Sequence, residues 1–198
     1  RLMSMVAEIP GSKLRNAQME DYEWQQLNSA VERFSEVPIF IDDTPAINIF
    51  ELRAKCRRLK MHHDIQLVIV DYLQLLSAGP EGKRGGTREQ EISTISRALK
   101  TMAKELEVPV IALSQLSRAV ETRGGNKRPQ LSDLRDSGAI EQDADIVTFI
   151  YRPDYYEMES DPTISKDAAE ILISKHRNGA LGTVGLKFIA QYAKFTDP

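Results

Sequence analysis

The sequence predicts an α/β fold with a mixed, mostly parallel sheet, flanking helices and a closing antiparallel hairpin. Two apolar, β-branched runs, 67–70 and 108–114, have the composition of strands buried on both faces of a sheet. The segment 87–106 between them has helical periodicity, so the two strands should pair in parallel through a right-handed crossover. The dipeptide Asn178-Gly179 between later apolar runs is a hairpin-turn signal.

Capping signals and periodicity place the other elements. Asn48 with Glu51, and Thr87 with Gln90, have the spacing of helix capping boxes. Helices are therefore expected over 19–34, from Asn48 through Cys56, over 87–106 and over 139–142, and strands over 37–42, 67–70, 108–114, 144–151, 169–175 and 183–189. Polar loops are expected over 77–86 and 115–130.

Composition sets the class of protein. The 198 residues, 41% apolar and 28% charged, fit one domain with a full core. The net charge of −3 argues against wholesale wrapping of nucleic acid but allows a local basic loop. No apolar run approaches the roughly 18 residues of a membrane span. The lone Cys56 cannot form an internal disulfide, which favours the cytoplasm. The chain begins at Arg1 inside a predicted helix, so we expect a fragment.

Asp71 and Gln115 are candidates for a nucleotide site. Each lies at or just past the end of a predicted parallel strand, where ligands bind such sheets. An aspartate there suits Mg²⁺ held through water, and a glutamine suits sensing of a γ-phosphate, as in P-loop ATPases. The phosphate loop G-x-x-x-x-G-K-[ST] is absent from all 198 residues. The alternative is that Asp71 caps a turn and Gln115 starts a helix.

Lys175 and Arg177 form a second candidate group, beside the predicted hairpin turn. Strand alternation sends both side chains to one face and His176 to the other. Two neighbouring cations repel unless an anion lies between them, so a phosphate is a suitable partner. An arginine there could act on the site of an adjoining subunit. A solvated hairpin end is the alternative.

Two segments could contact nucleic acid. The loop 115–130 holds four cations, Arg118, Arg123, Lys127 and Arg128, against the single acid Glu121. It contains no aromatic residue, so it favours contact with a phosphate backbone over base stacking. Arg135-Asp136-Ser137-Gly138 precedes a short predicted helix, whose first N–H groups suit a phosphate. An ordinary solvated loop remains the alternative for both.

Four ordered motifs resemble one known family. They are LVIVDYLQLL (67–76), PVIALSQLSR (109–118), LSDLRDSGAIEQDADIV (131–147) and KHRNGALGT (175–183), supported by IDDTP (41–45) and RAKCRRLK (53–60). Together they closely resemble the bacterial replicative DNA helicases of the DnaB family. The similarity covers nearly the whole chain.

The resemblance implies a RecA-like ATPase domain that uses ATP and Mg²⁺ and works as a homohexameric ring on single-stranded DNA, with primase and a helicase loader as partners. It implies that Asp71 acts near Mg²⁺, that Gln115 links phosphate state to the DNA loops, and that Lys175 and Arg177 act in trans. Arg135, Asp136 and Gly138 would grip DNA phosphates. Asp136 and His176 stand where the family usually has Glu and Gln.

In that family the phosphate loop and the catalytic glutamate precede the part that Arg1 onward resembles. Residues 1–198 are therefore expected to form a single, partial ATPase domain that lacks its Walker A part and is inactive alone. Two other hypotheses remain open at this point. One is a RecA-like strand-exchange recombinase, and the other is a non-catalytic DNA-binding or assembly module.

Overall fold

The computed structural model describes residues 1–79, 87–124, 127–156 and 166–198. Residue contacts divide the chain into two compact units. The first contains Arg1–Asp42, Ile150–Leu172 and Gly182–Pro198, and the second contains Asp43–Phe149 and Ile173–Leu181. Two contact units can belong to one domain, so the single-domain organisation remains a prediction. Most of the expected loop 77–86, from residue 80 onward, lies outside the described residues.

The described residues form helices and strands in the order that an α/β fold requires. The helices are α1 (Leu2–Ala7), α2 (Gly11–Asn16), α3 (Asp21–Ser35), α4 (Ile49–His63), α5 (Arg88–Leu106), α6 (Ala119–Thr122), α7 (Gly138–Asp143) and α8 (Pro153–Tyr156). The strands are β1 (Val68–Val70), β2 (Val110–Ala112), β3 (Ile146–Tyr151), β4 (Ala168–His176), β5 (Gly182–Ile189) and β6 (Lys194–Thr196). Two 3₁₀ helices span Leu73–Leu75 and Leu131–Ser137. No helix among the described residues is long and apolar enough to cross a membrane.

The strands form two sheets. β1 and β2 pair in parallel, with Val70 opposite Ala112, as the crossover through α5 predicts. The second sheet has the order β3-β4-β5-β6, and β6 pairs antiparallel with β5. The short connection between the neighbours β4 and β5 contains the predicted Asn178-Gly179 turn. The α/β class and the closing hairpin are confirmed.

In the second unit, helix α5 has the capping and the apolar seam that its sequence predicts. The Thr87 side chain accepts the N–H of Gln90, and the Gln90 side chain accepts the N–H of Thr87 at 3.1 Å. The apolar seam is buried throughout, through Ile92, Ile95, Leu99, Met102 and Leu106. It belongs to the same core as Cys56 of α4, which is buried as expected. This core supports the parallel strands, where the first candidate site lies.

The first unit is built around α3. The Glu20 and Glu23 side chains form a reciprocal capping box at its start, and Glu23 also accepts a hydrogen bond from Lys13 of α2 at 2.7 Å. Ile9 and Ala30 are fully buried in a small core. The expected helix over 19–34 is therefore confirmed, with a start two residues later.

The strand expected over 37–42 is wrong. Val37, Ile39 and Ile41 are exposed, and Ile39 N–H donates locally to Val37 C=O at 2.8 Å. Strand propensity reflects packing against neighbouring strands, and no strand within 1–79, 87–124, 127–156 and 166–198 pairs with this segment. Pro38 also removes one backbone donor. The sheet expected to be continuous is likewise divided into two.

The α5 seam gives a stability prediction. Met102→Ala should lower the free energy of unfolding by about 2–5 kcal/mol, because it leaves a cavity around a fully buried side chain. Met61→Ala is the matched control, since Met61 is 82% exposed, and it should change stability by no more than about 0.5 kcal/mol. Urea unfolding followed by circular dichroism measures both. Equal effects of the two substitutions would contradict the assigned core.

Candidate nucleotide and nucleic-acid site

Asp71 and Gln115 lie at the same edge of the parallel pair β1–β2. The pairing continues past the strand ends, because Leu113 N–H donates to Val70 C=O and Leu73 N–H donates to Leu113 C=O, each at 2.9 Å. Asp71 follows β1 directly and Gln115 follows β2 by three residues. Asp71 and Gln115 are both exposed. The sequence-based expectation of a shared edge is therefore met, while their roles toward a nucleotide remain predictions.

Gln74 holds the backbone of Gln115, a function that the sequence analysis did not assign. Its side-chain Oε1 accepts the N–H of Gln115 at 3.4 Å. Its Nε2 donates to Gln115 C=O at 3.4 Å and to Ser114 Oγ at 3.1 Å. Arg88, at the start of α5, donates to the backbone carbonyl of Gln74. Gln115 is thus anchored through its main chain, which leaves its own side chain outside these bonds.

The space beside this edge is small. A cleft of about 130 Å³ lies between Gln74, Arg88, Gln115 and Asp133. Ligand pockets typically enclose about 300–1,000 Å³. The cleft beside Gln115 is therefore too small to enclose a nucleotide by itself.

The residues present fit a magnesium ion held mainly by water and phosphate. Asp71 offers one exposed carboxylate, a hard oxygen ligand. Among the described residues, no group of three or more His, Cys, Asp or Glu side chains could hold a metal ion. Mg²⁺ commonly keeps several waters and binds through one or two carboxylates plus substrate phosphates. A single aspartate matches that pattern.

Lys175 contacts the end of α7, and Arg177 contacts the connection between α7 and β3. Lys175 Nζ donates to the carbonyls of Glu141 and Gln142, the second at 3.3 Å. Arg177 N–H donates to Asp145 C=O at 2.8 Å, and its Nη1 lies 3.3 Å from Asp145 Oδ1. No described hydrogen bond or ion pair joins either cation to Asp71 or Gln115. The described contacts therefore do not join the two candidate groups.

Asp145 lies between two cations. Besides Arg177 it accepts a hydrogen bond from Lys100 of α5, through Oδ2. The hydrogen bond from Lys100 is the main reason that the pKa of the Asp145 carboxyl is lowered from its ordinary value, and the charges of Lys100 and Arg177 act in the same direction. Asp145 is therefore ionised at neutral pH and available to both cations.

The hairpin turn is shaped by His176. Its Nδ1 lies 3.3 Å from Ala180 C=O, so the ring folds over the turn. A Cβ atom at Gly179 would overlap this ring, which explains why a glycine suits that position. The turn thereby separates His176 from the two flanking cations, as strand alternation predicts.

The basic loop is more structured than a phosphate-tracking loop was expected to be. Residues 119–122 form α6, and Arg118 at its start is exposed. Arg123 pairs with Asp133, which is only 4% exposed, and donates to Arg128 C=O at 3.4 Å. Lys127 and Arg128 are partly buried. Arg123 is therefore already bound to a carboxylate within the chain.

The second expected DNA segment is described only in part. Arg135 and Asp136 lie in the 3₁₀ helix Leu131–Ser137, and their side chains lie outside what the structure describes. Gly138 begins α7 and is exposed. The N–H of Ser117 donates to Asp133 C=O at 3.0 Å, which joins the segment after Gln115 to this 3₁₀ helix. This hydrogen bond thus connects the two segments that are expected to contact DNA.

The comparisons with known proteins decide the family. The family model described as the DnaB-like helicase C-terminal domain matches residues 1–197. The chain belongs to this family. Its matches include the replicative DNA helicase DnaB of Geobacillus stearothermophilus, 49% identical, and the replicative DNA helicase DnaC of Bacillus subtilis, 48% identical. Each alignment covers 100% of this chain and 42% of the relative, so the chain spans less than half of these helicases.

Solved structures agree with the DnaB-like family. A structure described as an ATPase domain superposes with a TM-score of 0.90 at 44% identity, covering 100% of this chain and 68% of that one. A DnaB-like replicative helicase, described with its interactions with primase, gives the same TM-score and identity and is covered to 46%. The RecA-like helicase interpretation is confirmed as the family assignment, and the recombinase hypothesis loses its support.

The Arg123–Asp133 pair gives a second stability prediction. Arg123→Ala should lower the free energy of unfolding by about 1–3 kcal/mol, because it leaves the buried carboxylate of Asp133 without its charged partner. Arg58→Ala removes the same side chain from an exposed position of α4 and should change stability by no more than about 0.5 kcal/mol. Urea unfolding of both variants measures the difference. An Arg123 variant as stable as the Arg58 variant would refute the structural role of the pair.

Proposed function

We propose that this chain is the later part of the ATPase domain of a replicative DNA helicase. The full protein would use ATP hydrolysis to unwind duplex DNA, as a homohexameric ring around single-stranded DNA. The family match supports the class of protein. The observation that carries the mechanism is the placement of Asp71 and Gln115 at one edge of a parallel strand pair.

At this edge, Asp71 would hold Mg²⁺ through water. The ion would neutralise charge that develops on the phosphates of ATP during transfer to water. Gln115 would contact the γ-phosphate or its attacking water with a side chain that the bonds from Gln74 leave available. The backbone link from Ser117 to Asp133 would carry a shift of Gln115 toward the DNA segments.

Lys175 and Arg177 would complete the site of the adjoining subunit. They make no described contact with Asp71 of their own chain, and about half of the Arg177 side chain is exposed. Cations that reach the γ-phosphate stabilise the charge of the transition state. This arrangement would make hydrolysis depend on two neighbouring subunits, which agrees with the small volume of the cleft beside Gln115.

Single-stranded DNA would contact Arg118, Lys127, Arg128, Arg135, Asp136 and Gly138. Arg118 lies at the start of α6 and keeps part of its surface exposed. Arg123 would act on DNA indirectly, since its pair with Asp133 ties the basic loop to the 3₁₀ helix that carries Arg135. The contacts are to phosphates and therefore independent of base sequence.

We propose that the protein works in the cytoplasm and that its protein partners are primase and a helicase loader. One of the similar structures is of a DnaB-like helicase and its interactions with primase, which supports the first partner.

The 198 residues contain no phosphate loop. By themselves they are therefore expected to hydrolyse no ATP and to unwind no DNA.

Mixed oligomers of the intact helicase test the shared site. Asp71→Asn and Arg177→Ala should each abolish ATP hydrolysis, and Arg177→Ala should still bind nucleotide. Mixing the two inactive proteins should restore activity, because about a quarter of the interfaces would combine an intact Asp71 with an intact Arg177. Steady-state ATP hydrolysis measures the recovery.

Arg58→Ala serves as the control for this experiment, since Arg58 is an exposed arginine of α4 outside the candidate site. It should be fully active alone. Absence of recovery in the mixture of the Asp71 and Arg177 variants would mean that Arg177 acts on its own subunit, and would overturn the trans assignment.

The proposed DNA contact has a salt signature. Arg118→Ala in the intact helicase should weaken binding of single-stranded DNA and reduce the slope of log K against log salt by about 0.7, the value for one phosphate contact on a single strand. Fluorescence anisotropy of a labelled oligonucleotide at several salt concentrations measures the slope. Arg58→Ala should leave it unchanged. The same slope for the Arg118 variant and the unsubstituted protein would rule out a phosphate contact.

A further inference from the structure

Asp145 is the carboxylate that holds Arg177 in this fold. It lies just before β3, opposite the end of β4. Arg177 contacts it twice, through its backbone N–H to Asp145 C=O at 2.8 Å and through Nη1, 3.3 Å from Oδ1. The backbone hydrogen bond fixes the main chain of Arg177, and the ion pair fixes the direction of its guanidinium.

An arginine that must reach a phosphate across an interface gains from such a contact. A free arginine side chain loses rotamer entropy when it becomes fixed, which opposes binding of the phosphate. Asp145 engages Nη1, and 51% of the Arg177 side chain remains exposed. The guanidinium therefore keeps donors that can face an anion while one edge is held in place.

Lys100 fixes the orientation of the carboxylate. It binds Oδ2, while Arg177 approaches Oδ1, so the two oxygens have separate partners. The Asp145 side chain is 53% exposed, and exposed ion pairs contribute little to stability. The geometry is therefore better explained by orientation of Arg177 than by strengthening of the fold.

We propose that Asp145 is a positioning residue for Arg177, presenting its guanidinium to the nucleotide of the adjoining subunit. This inference rests on the proposed trans role of Arg177. It adds that the presenting group belongs to the α7–β3 connection, which follows directly on the carbonyls of Glu141 and Gln142 that hold Lys175.

The chain offers a matched control. Glu105, near the end of α5, is also a carboxylate held by two cations, Arg53 with Nε at 2.8 Å and Arg57. Neither of these arginines belongs to the candidate site. Glu105→Gln therefore removes a comparable ion-pair network without affecting the presentation of Arg177.

The test uses the intact helicase with Asp145→Asn, which keeps the shape and the backbone bond but removes the charge. The kcat for ATP hydrolysis should fall about 10- to 100-fold, the effect of a misplaced catalytic group, with KM changed by less than about 2-fold. Asp145→Glu should recover much of the loss. Glu105→Gln should match the unsubstituted protein. Unchanged kcat in the Asp145→Asn protein would overturn the proposal.

Mixed oligomers separate positioning from general damage. Asp145→Asn mixed with Asp71→Asn should regain activity above the mean of the two proteins, whereas Asp145→Asn mixed with Arg177→Ala should not. Recovery in neither mixture, or in both, would overturn the proposal. Either result would mean that Asp145 does not act on the same side of the subunit interface as Arg177. If Asp71→Asn and Arg177→Ala recover together while Asp145→Asn fails this test, only the positioning role is lost and the trans site stands.

Lys100→Met tests whether Asp145 acts only through its ion pair with Lys100 of α5. It should lower kcat by less than about 3-fold, because the bond from Arg177 to Asp145 remains. A loss as large as that of Asp145→Asn would assign the effect to the α5 contact and would count against direct positioning of Arg177. Should Asp145→Asn fail to assemble, Asp145→Ser takes its place, because serine keeps the backbone bond to Arg177 and removes the carboxylate. An unchanged kcat in that protein would overturn the proposal.

Discussion

The parallel pairing of β1 with β2 is the constraint on which the rest of this structure depends. With Val70 opposite Ala112, both chains leave the pair at one edge, and the polar residues that follow are delivered side by side. A shift of the crossover helix α5 would move this edge, and α5 is held by a buried seam. The edge alone bounds a cleft of only about 130 Å³. That volume is too small for a nucleotide, and under the proposed function the two cations of the hairpin would complete the site from a neighbour.

The candidate residues are held by polar partners that have less obvious sequence signatures. Gln74 binds the backbone of Gln115, Asp133 binds Arg123, and Asp145 binds Arg177. Gln74 leaves the side chain of Gln115 accessible, and Asp145 leaves about half of the Arg177 side chain exposed. Asp133 fixes the basic loop through Arg123. Two further contacts join these segments, because Ser117 N–H donates to Asp133 C=O and Lys175 donates to a carbonyl at the end of α7. The candidate groups are therefore each fixed by hydrogen bonds to the segment 131–145.

Local features of the fold could be predicted from the sequence. The caps at Asn48 and Thr87, the α5 seam and the Asn178-Gly179 turn depend on residues close together in the chain, and all are present. The failures are long-range. The apolar run 37–42 has strand composition but no strand partner among the described residues, and the division into two sheets depends on edge pairing that periodicity does not encode. The same holds for the site: the shared edge follows from parallel topology, whereas Gln74, Asp133 and Asp145 had no motif that predicted their contacts.

The central claim is that the Asp71 edge of one subunit and the Arg177 hairpin of the next form a single nucleotide site. Electron cryomicroscopy of the intact helicase with a non-hydrolysable ATP analogue measures this directly, as the distance from Arg177 to the γ-phosphate nearest Asp71 of each subunit. The account predicts hydrogen-bond distance, about 2.7–2.9 Å, to the nucleotide of the adjoining subunit. An Arg177 that contacts the nucleotide of its own subunit, or that faces solvent in every nucleotide-filled interface, would contradict it.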